Sequence, residues 1–97
     1  MAEEAKLERK FVRTMEQAGW KAPKLVCPGF DGMPDRIILK DNGRVFFAEI
    51  KAPGEKPRPL QKARHAMLRR RGFRVYVVDS DEMIYQVWRA ENEIRTA

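Results

Sequence analysis

The stretch PDRIILKDNGRVFFAEIK, residues 34–51, decides the architecture. Two runs rich in Ile, Val and Phe, Asp35 to Lys40 and Arg44 to Lys51, flank Asp41-Asn42-Gly43, a strong β-hairpin signal. The length of that turn settles which side chains share a face. A two-residue Asn42-Gly43 turn pairs positions whose numbers sum to 85 and sends Asp35 and Glu49 to opposite faces, because side chains alternate along a strand. A three-residue loop, with Gly43 left-handed in a G1 bulge, makes the sum 84 and sets Asp35 directly across from Glu49. The second register is expected; failing it, a bulge elsewhere in the hairpin must restore the parity. The period of two then puts Glu49 and Lys51 on one face while Ile50 points into the core. Two carboxylates and an ammonium thus converge at the end of a sheet, beside two segments rich in glycine and proline.

Outward from the hairpin the pattern alternates. From Ala2 to Ala18, the residues Leu7, Phe11, Val12, Met15 and Ala18 recur at helical spacing, and Gly19 supplies a stop. Glu8 lies within that apolar stripe, with Glu4 one turn earlier, and an acid on an apolar face needs explaining. Lys24-Leu25-Val26 reads as a short strand, and Cys27 to Pro34 is dense enough in loop formers to read as a mobile loop. Ala52 to Pro59 holds three prolines and a glycine, a connector that disfavours helix and is placed to clamp a ligand. Leu60 to Arg71 is helical, with Leu60, Ala63, Met67 and Leu68 inward and a basic outer face, and Gly72 ends it. Phe73 to Val78 is a strand, and Ser80 followed by Asp81 and Glu82 caps a last helix through Ile84, Val87 and Trp88. The expected fold class is α/β, a central mixed β-sheet flanked by helices.

Ninety-seven residues make one domain, residues 1–97, with a thin core that a homodimer would enlarge. Twenty Lys and Arg against fourteen Asp and Glu give a net charge of +6, which speaks of polyanionic partners, nucleic acid first. The single cysteine, Cys27, allows no internal disulfide or Cys-based zinc cluster and suits the cytoplasm. No run of apolar residues is long enough to span a membrane, and the first ten residues lack the apolar core of a secretion signal.

Carboxylates converging beside a lysine are how a hard-cation site is built. Mg²⁺ prefers oxygen ligands, keeps several waters and takes only one or two protein carboxylates plus substrate phosphate. Lys51 is then placed to orient or deprotonate a water that attacks phosphorus. The bland alternative is a surface ion pair, Glu49 with Lys51 or Asp35 with Arg36, worth about 0 to 1 kcal/mol.

The combination of Gly29-Phe30-Asp31-Gly32-Met33-Pro34-Asp35-Arg36, Glu49-Ile50-Lys51-Ala52-Pro53-Gly54 and Pro59-Leu60-Gln61 resembles the PD-(D/E)xK nuclease superfamily. Within it, the chain looks like the stand-alone VRR-NUC (virus-type replication-repair nuclease) domain of phages and bacteria, over nearly its whole length. The resemblance implies a restriction-endonuclease-like core of αβββαβ order plus a C-terminal helix. It implies that Asp35 and Glu49 hold Mg²⁺ or Mn²⁺ with the Ile50 carbonyl as a third ligand, that Lys51 is the catalytic lysine, and that Gln61 touches the site. Glu8 maps best onto the family's first-helix glutamate, ahead of Glu4. The implied activity is a structure-specific DNA endonuclease, similar to Holliday junction resolvases that act as homodimers on branched DNA in repair.

Lys56, Arg58, Lys62, Arg64 and Arg69 are expected to hold the DNA backbone, with Arg70 and Arg71 beside them, and half of these are expected to be no more than a solvated face. His65 is read as a phosphate contact or as solvated rather than catalytic, and Phe30 as an anchor for its loop. Trp20 and Trp88 are read as core or dimer contacts, and Cys27 as structural. The alternative function is a non-catalytic DNA-binding module on a nuclease fold. A weaker third reading is an RNA-directed nuclease.

Overall fold

A computed structural model of the chain describes residues 2–94. Its elements run α1 (Ala2–Gln17), β1 (Arg36–Leu39), β2 (Val45–Ile50), α2 (Pro59–Arg70), β3 (Val75–Val78) and α3 (Asp81–Glu93). The hairpin closes in the expected register, Arg36 opposite Ala48 through Leu39 opposite Val45, pairs that sum to 84. Gly43 is left-handed at φ 74°, and Asn42 joins it at φ 61°, a conformation that asparagine tolerates better than most residues. β3 adds to the far side of β2 in parallel, Phe47 opposite Val75 through Ile50 opposite Val78, with α2 as the crossover. The sheet is therefore mixed, with β2 central.

The expected strand at Lys24 to Val26 is reduced to two isolated bridges, Lys21 with Leu39 and Lys24 with Arg36. Proline is the reason. The Ile37 N–H donates to the Pro23 carbonyl, but Pro23 has no N–H to return, so the ladder along this edge is interrupted. The other boundaries shift by a residue or two, and Pro59 proves to open α2, where a missing N–H is no loss.

Alternation along β2 divides the molecule. Phe46, Ala48 and Ile50 face α1 and α3, where they pack with Leu7, Phe11, Met15, Trp20, Ile38, Val78, Ile84 and Val87. Phe46 meets Trp20 and Tyr76 edge to face. On the opposite face Phe47 and Val75 pack against Leu68 of α2. That second apolar cluster is small, because the next residue of β2 on the same face is Glu49.

α2 is rotated from the expected facing. Gln61, His65 and Leu68 are its buried residues, whereas Leu60 is 46% exposed and Ala63 faces solvent. Polar residues take the inward positions because the sheet beneath presents a carboxylate. The loop expected to be mobile is pinned to this helix. Arg64 donates from Nε to the Asp31 carbonyl at 2.7 Å and stacks its guanidinium 3.8 Å from the centre of the Phe30 ring. Gly32, at φ 91°, lies so close to α2 that a Cβ there would come within 2.8 Å of Leu60 Cγ and 3.2 Å of the Leu60 carbonyl oxygen.

A buried acid ties α3 to the sheet. Glu91 is fully buried, and its carboxylate accepts from Lys40 Nζ, Tyr76 Oη and the Arg74 guanidinium, while Lys40 also donates to the Glu91 carbonyl. Burial alone would raise its pKa, but the bonds from Arg74, Tyr76 and Lys40 outweigh burial and hold it below the ordinary value. Among the described residues no helix is long and apolar enough to cross a membrane.

Two outcomes follow. Glu91→Ala strands the buried Lys40 ammonium and leaves the partly exposed Arg74 guanidinium and Tyr76 hydroxyl without their acceptor, and urea unfolding at pH 7 should show a loss of about 3 to 5 kcal/mol; a loss below about 1 kcal/mol would contradict the network. Because the folded-state pKa of Glu91 is depressed, its contribution is present above the unfolded value and is lost as pH falls below it, a loss the Glu91→Gln variant should not show. Gly32→Ala should cost about 1 to 3 kcal/mol from the clash with α2 together with the positive φ, and unchanged thermal stability would show that the loop is not pinned.

Candidate active site

One further step along the hairpin register places Asp35 across from Glu49. Both project toward α2. Glu49 is 1% exposed, and Lys51, two residues on and on the same face, brings Nζ to 3.7 Å from Glu49 Oε2. Gln61 donates from Nε2 to the same Oε2 at 3.0 Å, while its Oε1 accepts the Arg58 N–H at 2.8 Å. One side chain therefore satisfies the first turn of α2 and grips the carboxylate.

Pro34 shapes the other half. The register sets Ile50 opposite Pro34, which is buried and has no N–H. The Ile50 N–H donates to Asp35 Oδ2, at 2.7 Å. For the Ile50 carbonyl, Pro34 has no N–H to offer from the β1 side of the ladder. The Asp35 carboxyl is pushed up to about 6, chiefly by burial, against the pull of the Ile50 N–H, and further by the negative charges of Glu49 and Glu8.

These residues fit a divalent cation. Two carboxylates crowd together, Glu49 Oε1 has no hydrogen-bond partner, and the nearest lysine is too far for a hydrogen bond. What the arrangement lacks is positive charge. Among the described residues no group of three or more His, Cys, Asp and Glu side chains is set to hold a metal, so an ion here would draw on two carboxylates, a carbonyl and water, the usual economy of Mg²⁺ sites. The expected third acid does not join that cluster. Glu8 Oε2 instead accepts from Arg36 Nε at 2.9 Å, both side chains being 19% exposed, although its charge is still felt at Asp35. Arg36 in turn donates to the Ala22 carbonyl.

The basic residues divide. Lys56, Arg58 and Lys62 are exposed near the start of α2, as expected for phosphate contacts. Arg64 and Arg69 are committed elsewhere, Arg64 to the Phe30 loop and Arg69 to the Val75 carbonyl at 2.6 Å. Their long side chains fasten α2 to its neighbours. A cavity of about 560 Å³ lies between α1 and the start of α3, lined by Lys6, Lys10, Asp79 and Asp81 among others, and contains none of the clustered acids.

His65 is the residue the sequence reading undervalued. It is 3% exposed, not solvated, and its Nε2 lies 3.6 Å from Glu49 Oε1. The legible signal was the spacing of Gln61, His65 and Leu68, which is one helical stripe.

Comparison with known proteins identifies the family and the fold. The VRR-NUC domain family matches residues 3–82. "Putative nuclease p44" of Acyrthosiphon pisum secondary endosymbiont phage 1 is 42% identical over 80 residues, covering 82% of this chain and 86% of that protein. A solved structure titled "VRR_NUC domain" superposes with a TM-score of 0.85 at 28% identity, covering 95% of this chain and 98% of that one. On a hairpin register that pairs Asp35 with Glu49, on a matching fold and on a family match across most of its length, the chain belongs to the VRR-NUC domain family.

Proposed function

We propose that this protein is a divalent-metal-dependent endonuclease that hydrolyses DNA phosphodiester bonds. The observation that carries the reading is the pair Asp35 and Glu49, set side by side across the hairpin with the Asp35 pKa pushed up to about 6. A packing or purely binding role gives no reason to crowd negative charge where phosphate must approach. Asp35, Glu49 and the Ile50 carbonyl would hold Mg²⁺ or Mn²⁺, with Glu8, paired to Arg36, contributing through its charge. The bound ion supplies positive charge to the phosphate oxygens as negative charge builds on them.

The chain's own groups do the remainder. Lys51 orients the attacking water from beside Glu49; as the water oxygen bonds to phosphorus one ester P–O bond breaks, and the proton the water gives up is balanced by the one the departing alkoxide takes from solvent. Gln61 fixes the rotation of Glu49. Lys56, Arg58 and Lys62 hold the DNA backbone on the approach to the site. Among the described residues, the one Asn or Gln on the arginine-rich helix α2 is Gln61, which is buried against Glu49 rather than offered to bases, so selectivity rests on DNA shape. The substrate is branched DNA, the four-way junction first. One chain carries one such site, so paired cuts in opposing strands require a homodimer.

Incubation with a four-way junction, a flap and a linear duplex, each with Mg²⁺, Mn²⁺ or EDTA, tests the class and the substrate together. Metal-dependent symmetric incision of the junction is expected, with Lys51→Ala lowering the rate by about 10²- to 10⁴-fold while leaving most of the binding. Binding without cleavage under every metal condition would support the DNA-binding module instead, and cleavage of RNA in place of DNA would reassign the substrate.

Proton linkage gives a second test. Cation binding requires ionised Asp35, whose pKa in the cation-free chain is about 6. Calorimetric Mn²⁺ affinity should therefore be level above that pH and fall by roughly tenfold per unit below it. An affinity independent of pH between 5 and 7.5 would remove Asp35 from the ligand set.

A further inference from the structure

Behind the Glu49 carboxylate, two polar atoms face each other with nothing to bond. Glu49 Oε1 and His65 Nε2 are both closed off from solvent without a hydrogen-bond partner, and they stand 3.6 Å apart. Buried polar atoms are nearly always paired, and an unpaired pair in mutual view calls for an account. At this separation there is no hydrogen bond. Two lone pairs facing each other would repel, so Nε2 carries a hydrogen when Glu49 is ionised.

A hydrogen bond needs only a closure of about 0.7 Å to reach normal length. α2 already holds the other oxygen, through Gln61 Nε2 at 3.0 Å from Oε2. Gln61 and His65 are one helical turn apart on the buried face, so the helix offers one N–H donor to each oxygen of one carboxylate. Two donors on two oxygens fix the tilt and rotation of the carboxylate, and its remaining lone pairs stay free toward Asp35.

We infer that His65 is a positioning residue for Glu49: its Nε2–H closes onto Oε1 and, with Gln61 on Oε2, locks the carboxylate in the orientation that receives the cation. The assignment rests on the metal-dependent reading above.

Nitrogen-15 spectra of the His65 imidazole in the intact protein, paired with Mn²⁺ calorimetry and junction-cleavage kinetics, test it. Glu49→Gln should move the Nε2 resonance. His65→Leu should weaken Mn²⁺ binding by about 10- to 100-fold and lower kcat with little change in KM for DNA, whereas His65→Gln, which keeps an N–H donor, should recover most of both. The assignment falls alone if wild type binds Mn²⁺ and cuts DNA while His65→Leu does so equally well, or while His65→Gln is no better than His65→Leu. Wild-type protein that binds no Mn²⁺ overturns the metal reading and this assignment with it. Should His65→Leu fail to fold, the comparison of wild type with Glu49→Gln decides, an unmoved Nε2 resonance overturning the assignment.

Discussion

Two carboxyl groups held side by side across a β-hairpin are the constraint on which the rest of the molecule turns. The three-residue loop and its left-handed Asn42 and Gly43 set the register, and the register alone puts Asp35 and Glu49 on one face. Pro34 then withholds the N–H that would have continued the ladder opposite Ile50. The result is a patch of oxygen atoms from two strands with too few donors to satisfy them. Such a patch is costly in an isolated chain, and the raised Asp35 pKa is the sign of that cost.

The contrast with Glu91 shows what a purely structural acid looks like in the same fold. Glu91 is as buried as Glu49, yet lysine, arginine and tyrosine donors surround its carboxylate and its pKa falls. Glu49 has one glutamine at hydrogen-bond distance, a lysine and a histidine just beyond it, and an oxygen with no partner. The two faces of the sheet divide the work accordingly. α1 and α3 enclose the larger apolar core and carry stability, whereas α2 gives up apolar contact to aim Gln61 and His65 at a carboxylate. Gly32, Phe30 and Arg64 then fasten the loop before Pro34-Asp35 onto that same helix, so the approach to the site is tied to the helix above it.

Much of this is written in short-range signals. Hydrophobic periodicity locates all three helices, the Ser80 cap is confirmed by its bond from the Met83 N–H, and the hairpin composition gives the register, because each depends on residues close in sequence. What the sequence left obscure depends on contacts between distant segments. A charged residue on a helix looks solvated unless its distant partners are known, which is why Glu91 passed unnoticed and why Arg64 and Arg69 resembled phosphate contacts. His65 was misjudged for the same reason, since only the packing of α2 on Glu49 reveals that its buried stripe is polar. Glu8 shows the reverse: the acid in the apolar stripe was legible, but its pairing with Arg36 was not.

The most direct test of the central claim is the location of bound metal. In crystals of the wild-type protein soaked in Mn²⁺, the anomalous signal should show a peak about 2 to 2.5 Å from oxygens of Asp35 and Glu49 and from the Ile50 carbonyl. A Mn²⁺-loaded crystal with no peak between those two side chains, or with its peaks only at other acids, would contradict the account.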